Sequence, residues 1–282
     1  MKYIYLLIST ILFFNSTSIA QDFDQKLKTS DVTLNYSKTF VFYSEEVQDS
    51  FHIYIKFPKG YDKNPDITYP CIFLLDGDIA FPMAWGIVRY LQYSKYVPDV
   101  LIVGIGYGGL SSSNSINKRE RDYSISKIEG LKDSGGGEKF LQFIKQELIP
   151  FLKSNYKLDN TKLTLSGHSL GGLFVLYSLF SEPELFSNYI SISPYILQDI
   201  NKLNDLIDIN KTKIEESNIR LFISVGANEE EKEFKSPINM IVNRLHQFNL
   251  PSLKLKIKIF EDGYHFSTPA EGLTYGLIFS FE

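Results

Sequence analysis

The stretch Lys162-Leu163-Thr164-Leu165-Ser166-Gly167-His168-Ser169-Leu170-Gly171-Gly172, running on to Phe180, decides the fold. Lys162–Leu165 reads as a buried strand and Leu170–Phe180 as a helix. Between them stands Gly167-His168-Ser169-Leu170-Gly171, a GxSxG pattern. A serine on a tight strand-to-helix turn projects its hydroxyl from the end of the sheet. The turn is strained, and strand and helix nearly touch beside it. Glycines two residues to either side relieve that crowding. The alternative is a glycine-rich turn with an incidental serine. The strand before and the helix after favour the nucleophile elbow.

Working outward, Ser37–Tyr43 and Ser50–Phe57 read as strands, the second alternating around His52, Tyr54 and Lys56. Cys71–Leu75, Val100–Ile105 and Ile219–Val225 are apolar runs of the kind buried in parallel sheets, and Tyr189–Ile192 is a shorter one. In Glu138–Lys153 the apolar residues Phe140, Leu141, Ile144, Leu148, Phe151 and Leu152 fall on one helical face, and Pro237–Phe248 is another helix. Strands alternating with helices predict an α/β fold with a mostly parallel, doubly wound sheet and helices on both faces. In Leu253–Phe260 leucines and isoleucines alternate with Lys254, Lys256 and Lys258. That pattern predicts an edge strand with one buried and one wet face. Tyr195–Ser217, with Ile196, Ile200, Leu203 and Leu206, reads as an amphipathic cap.

At 282 residues the chain is long enough for one large domain. A net charge of −4 implies no nucleic-acid surface. The start has its own layout: Met1-Lys2, an apolar run Tyr3 to Phe14, then Ser18-Ile19-Ala20. A basic start, a short apolar core and a small-x-small site describe a secretory signal peptide over 1–20. The expectation is an exported protein, periplasmic or secreted, with a single domain over 21–282. The apolar run is short for a membrane span, so no stable membrane insertion is expected after cleavage. Cys71 is the only cysteine and reads as a buried structural residue.

A serine hydroxyl needs a base. Of four histidines, His52 lies in an early strand, His168 adjoins the serine and should point away from its hydroxyl, and His246 lies on a helix surface. His265 follows the last strand through Glu261-Asp262-Gly263-Tyr264, where the serine-first chain order puts the base. The acid that orients it should follow Ile219–Val225, which ends in Gly226-Ala227-Asn228-Glu229-Glu230-Glu231. Glu229 is the candidate, with Glu230 and Glu231 as alternatives. An oxyanion hole needs two N–H donors. Leu170 supplies one, and the turn Leu75-Asp76-Gly77-Asp78 the other, from Asp78 or Gly77. Asp76 and Asp78 have a rival reading as metal ligands that no surrounding cluster supports. Gly104-Ile105-Gly106-Tyr107-Gly108-Gly109 fits GxGxxG after a strand, but a serine-rich loop follows where a dinucleotide site needs a helix. No cofactor is expected. Arg119 and Arg121 are candidates to hold an anionic substrate, the alternative being a structural pair with Asp122 or another acid. Tyr195 is a further candidate substrate contact.

These motifs together resemble a known family. Leu74 to Asp78, Arg119 to Tyr123, Glu138-Lys139-Phe140, Glu147-Leu148-Ile149-Pro150, Gly167 to Gly172, Ser191-Ile192-Ser193-Pro194 and Glu261 to Phe266 are similar, in that order, to the "putative esterase" group of α/β-hydrolases. The similarity covers roughly residues 45–280 and looks strongest toward ferric-siderophore esterases. It implies an α/β-hydrolase fold and hydrolysis of a small-molecule carboxylic ester through an acyl-enzyme. The group's nucleophile and base fall on Ser169 and His265. A siderophore trilactone leads over feruloyl or acetyl esters of polysaccharides. Acyl transfer and a non-catalytic binding protein on the same fold are the rivals.

Overall fold

The computed structural model describes residues 32–63, 65–110 and 116–282, so the signal-peptide expectation lies outside the described residues. Asn35–Glu282 packs as one unit. Its sheet has eight strands: β1 (Ser37–Ser44), β2 (Asp49–Lys56), β3 (Tyr69–Leu74), β4 (Leu101–Gly106), β5 (Leu158–His168), β6 (Asn188–Ile192), β7 (Ile219–Gly226) and β8 (Leu253–Phe260). They lie in the order β1-β2-β4-β3-β5-β6-β7-β8. β1, β2 and β4 pair antiparallel, and every pair from β4 to β8 is parallel. All the strands read from the sequence are present, and the fold is the α/β-hydrolase one. The inner parallel strands β3, β4, β6 and β7 are buried nearly throughout because both faces are covered.

The exchange of β3 and β4 positions the site. The chain leaves β3 through helix α1 (Gly77–Tyr93) toward β4 on one side. After β4 come the short α2 (Arg119–Tyr123), α3 (Gly137–Gln142) and α4 (Ile149–Asn155). From β5 the chain runs through α5 (Leu170–Ser181) toward β6 on the other side. Right-handed crossovers in opposite directions put α1 and α5 on opposite faces of the sheet. α1 packs with the C-terminal helix α8 (Thr268–Phe281), while α5 packs with α6 (Ile200–Glu216), which meets α7 (Ser236–Phe248). The loops after β3 and β5 therefore diverge, and a crevice opens at the carboxyl ends of these strands.

Three expectations change. The predicted helix 138–153 is divided: a wider π turn, Phe143–Leu148, joins α3 to α4. Pro150 in the first turn of α4 has no N–H to return to the preceding turn, and the wider turn absorbs the missing bond. The predicted cap is not a cap. α6 lies in the helix layer, with Leu203, Ile207 and Ile214 fully buried and Asn210 Nδ2 donating to Phe180 O of α5 at 2.9 Å. Its apolar stripe faces its neighbour helix, where it buries most area. β8 is the edge strand, but its apolar face is not uniformly buried: Ile257 is 38% and Ile259 57% exposed. Two of the lysines instead set their ammonium groups over rings of α8, Lys256 Nζ 5.2 Å from the Phe279 ring and Lys258 Nζ 4.2 Å from Tyr275.

α1 and α8 carried no clear helical signal. Pro82 interrupts one, and Gly272 and Gly276 the other. In α8 these glycines let the helix lie on β6: a Cβ at Gly276 would sit 2.5 Å from Ile190 Cγ2, and one at Gly272 2.7 Å from Ile192 Cγ2. Cys71 is buried in β3, and burial pushes its thiol well up, leaving it protonated and inert.

Candidate active site

Ser169 stands between β5 and α5 at φ +59°, ψ −119°, in the left-handed half of backbone space that a non-glycine residue enters only under constraint. The constraint is visible on three sides. Ser169 N–H donates to Ile192 O at 3.0 Å, and Ser169 O accepts from Leu173 N–H at 3.0 Å and Tyr195 N–H at 3.2 Å. A Cβ at Gly167 would lie 2.4 Å from Gly171 O, and one at Gly172 2.9 Å from Ile192 O. Both glycines are therefore required by close backbone approach.

The loops after β7 and β8 cross at a second close approach. A Cβ at Gly226 would lie 2.4 Å from Gly263 O. Ala227 N–H donates to Phe260 O at 2.9 Å and Asn228 N–H to Gly263 O at 3.0 Å. This fastening brings the Glu229 carboxylate to His265, with Oε2 2.7 Å from Nδ1. Glu229 Oε1 accepts from Ser193 Oγ at 2.5 Å and Gly226 N–H at 2.7 Å. The Glu229 side chain has no solvent exposure. Burial opposes its ionisation, but the hydrogen bonds from His265, Ser193 and Gly226 outweigh it and hold the carboxyl below its ordinary value. Glu230 and Glu231 are exposed, and Glu231 binds Ser236 and Lys235.

The rings of His168 and Phe234 both pack against the His265 ring, each with its centroid 4.5 Å away. His168 does not point into solvent. Its Nε2 is 2.7 Å from His265 O, so Nε2 must carry the proton, because a carbonyl only accepts. Burial, then the nearby His265, hold the His168 imidazole down to about 4, so it is neutral. Thr268 Oγ1 donates to the same carbonyl at 3.1 Å and lies 3.0 Å from Ser193 Oγ. His265 is thus held at its ring by Glu229 and at its backbone by His168 and Thr268. Among the described residues no hydrogen bond joins Ser169 Oγ to the His265 ring. Such bonds commonly tighten only with substrate bound.

Ser169 borders a cavity of about 390 Å³. Asp76, Ile79, Met83, Arg119, His168, Phe266 and Leu273 are among its lining. Ile79 and Phe266 are 75% and 87% exposed, giving the mouth an apolar rim. Asp76 sits at φ +51° before α1. Arg119 donates to Asp76 Oδ1 at 2.9 Å, to Oδ2 at 3.2 Å and to His168 O at 3.2 Å. Burial raises the Asp76 carboxyl, which Arg119 only partly offsets. Arg121 bonds Asp122 at 2.7 and 3.0 Å and Asp49 at 2.5 Å, away from this cavity. Both arginines are therefore engaged by acids of the chain, Arg121 by Asp122 as the structural alternative had it. Tyr195 is not among the residues that line the cavity; its ring lies 5.7 Å from Phe234, which in turn packs on His265. Leu170, Gly77 and Asp78 all begin helices, where the first N–H groups have no intrahelical acceptor. Among the described residues no group of three or more His, Cys, Asp or Glu is arranged for a metal ion, and no helix is long and apolar enough to cross a membrane.

Sequence reasoning did not assign Ser193, Thr268, His168 or Phe234. Ser193 lay within a quoted motif, but nothing local said that it reaches across to Glu229.

The fold and its elbow define an α/β-hydrolase. The chain belongs to the "putative esterase" family, whose model matches residues 44–266, and it is an ester-cleaving hydrolase. It is 32% identical over 216 residues to the ferri-bacillibactin esterase BesA of Bacillus subtilis, covering 70% of this chain and 72% of that one. It is 30% identical over 132 residues to a siderophore triacetylfusarinine C esterase of Aspergillus fumigatus, covering 45% and 44%. Among solved structures, a BES protein from Bacillus cereus superposes with TM-score 0.81 at 29% identity, over 91% of this chain and 99% of that one.

Proposed function

We propose that the chain is an exported serine esterase of siderophore esters. Ser169 attacks the ester carbonyl while His265 takes its proton. His265 then delivers that proton to the departing alcohol, leaving an acyl-serine. Water, deprotonated by His265, releases the acid and restores the serine. Glu229 orients His265 and stabilises its charged form. Leu170 N–H and an N–H of the Gly77–Asp78 turn receive the developing oxyanion. The observation that carries this reading is the 2.7 Å Glu229–His265 pair, together with a serine held at φ +59° whose neighbour His168 packs on the His265 ring. The substrate class is supported by the names of the relatives and by a cavity with an apolar rim suited to aryl groups. The export step rests on the composition of residues 1–20.

A fluorophosphonate probe should label the folded protein at Ser169, and Ser169→Ala should neither label nor turn over ester. Labelling elsewhere would overturn the serine assignment. The substrate is tested by comparing an iron-loaded catecholate trilactone with feruloyl and acetyl sugar esters. A higher kcat/KM on a sugar ester would reassign it. N-terminal sequencing of the protein from its native host should begin at Gln21, and a retained Met1 would remove export by cleavage.

A further inference from the structure

The glycine-rich stretch Gly104-Ile105-Gly106-Tyr107-Gly108-Gly109 has the spacing of a phosphate cradle, and the anion it holds is the chain's own Asp78. Asp78 Oδ2 accepts Tyr107 N–H at 2.7 Å. Oδ1 accepts Gly108 N–H at 3.1 Å, Leu110 N–H at 3.3 Å and the Tyr54 hydroxyl at 2.6 Å. Successive backbone N–H groups turned on one anion make a nest. The glycines open the space for it. A Cβ at Gly106 would lie 2.8 Å from Asp78 Oδ1, and one at Gly77 2.7 Å from Ile105 N. At Gly108, where φ is +95°, a Cβ would lie 2.8 Å from His52 Nε2.

An acid in the first turn of a helix ordinarily serves that helix's own N–H groups. Asp78 instead reaches to the loop after β4, so what it fixes is where the start of α1 sits on the sheet. That start abuts the elbow: a Cβ at Gly171 would lie 3.3 Å from Asp76 Oδ2 and 3.6 Å from Leu75 Cβ. The starts of α1 and α5 therefore lie against each other at the Asp76–Gly171 contact, and a shift at Asp78 would move the α1 side of it.

We infer that the Asp78 carboxylate is a positioning residue for oxyanion stabilisation: the nest after β4 holds it, and it holds the Gly77–Asp78 N–H donor in place. The inference rests on the serine-esterase reading above. A displaced oxyanion donor weakens binding of the transition state and spares the ground state, so kcat falls while KM changes little.

The test compares wild type with Asp78→Asn, Asp78→Ala and Tyr54→Phe on a small neutral p-nitrophenyl ester, with Tm and inhibition by phenylethylboronic acid measured alongside. The boronate adduct carries a tetrahedral oxygen where the oxyanion forms. Asp78→Asn should cut kcat about tenfold to a hundredfold, less than or equal to the loss from deleting a donor outright. KM should stay within about twofold, and the boronate Ki should rise in step with the loss in kcat/KM. Tyr54→Phe, which removes one of the four bonds, should give a smaller loss in the same direction without lowering Tm. If the Asp78 variants fail to fold, Tyr54→Phe decides alone: unchanged kcat and boronate affinity overturn the inference. So do folded Asp78 variants that match wild type, or that lose KM and not kcat. A wild-type protein that takes no fluorophosphonate at Ser169 would instead remove the underlying mechanism, whatever Asp78 does.

Discussion

Glu229 accepts three hydrogen bonds, and they do different work. Gly226 N–H and Ser193 Oγ fix the carboxylate, and the third oxygen contact fixes His265. Glu229→Gln places an amide where one acceptor is needed, so the imidazole loses its orientation. Turnover should drop by about 10²- to 10⁴-fold, with labelling of Ser169 slowed in parallel. Glu230→Gln and Glu231→Gln touch exposed groups and should stay within about twofold of wild type. A large loss at either would move the acid. Arg121 bears on a different quantity. Its partner Asp122 has no exposed side chain, and Arg121→Ala would leave that carboxylate buried without its cation. Stability should fall by about 3 kcal/mol or more, with charged and neutral esters losing activity equally. A rise in KM confined to charged esters at unchanged Tm would restore the substrate-anion role.

At the scale of elements, the site depends on two loops crossing at Gly226 and Gly263. Gly226→Ala puts a methyl 2.4 Å from a backbone oxygen that no rotamer change moves. The loops must part, which costs about 1–3 kcal/mol in strain and separates Glu229 from His265. Chemical denaturation and kcat should both register the change. Gly86, in the middle of α1, gives the contrasting case. Apart from its chain neighbours and the adjoining backbone of its own helix, nothing lies within 4 Å of its Cβ position, so Gly86→Ala should raise stability by about 0.5–1 kcal/mol through helix propensity and leave kcat unaltered. A loss of stability there would mean that α1 packs more tightly than its geometry allows.

For the whole molecule, the partly buried imidazole of His168 predicts acid lability. Its folded value is about 4 against an ordinary 6.5. Between those values the unfolded chain binds a proton that the folded chain does not, so stability falls as pH drops from 6.5 toward 4. At roughly 1.4 kcal/mol per pH unit, the full loss is about 3 kcal/mol. Glu229 adds to it at lower pH. Its depressed carboxyl contributes stability above the unfolded value of 4.5, lost as pH falls through the folded one. His168→Gln keeps a donor for His265 O and removes the titration, so the slope of Tm between pH 6.5 and 4 should flatten. An unchanged slope would assign the lability to other groups.

Local signals in the sequence determined the α/β class, the elbow at Ser169, and the edge position of β8. Strand and helix periodicities and the spacing of Gly167, Ser169 and Gly171 act over ten residues or fewer, so they are written in the chain. Only the tertiary structure decided which glutamate meets His265, because three in succession share one composition and differ only in where a fixed turn points them. It also decided that Arg121 spends its charge on Asp49 and Asp122, and that His168 supports the His265 backbone. Asp78 meets Tyr107, Gly108 and Leu110 about thirty residues on because β4 lies beside β3 on the side away from β5. That adjacency is a property of sheet order. The six-residue glycine pattern reads identically whether its anion is a cofactor's phosphate or the protein's own carboxylate, and the neighbouring strand is what supplies the second.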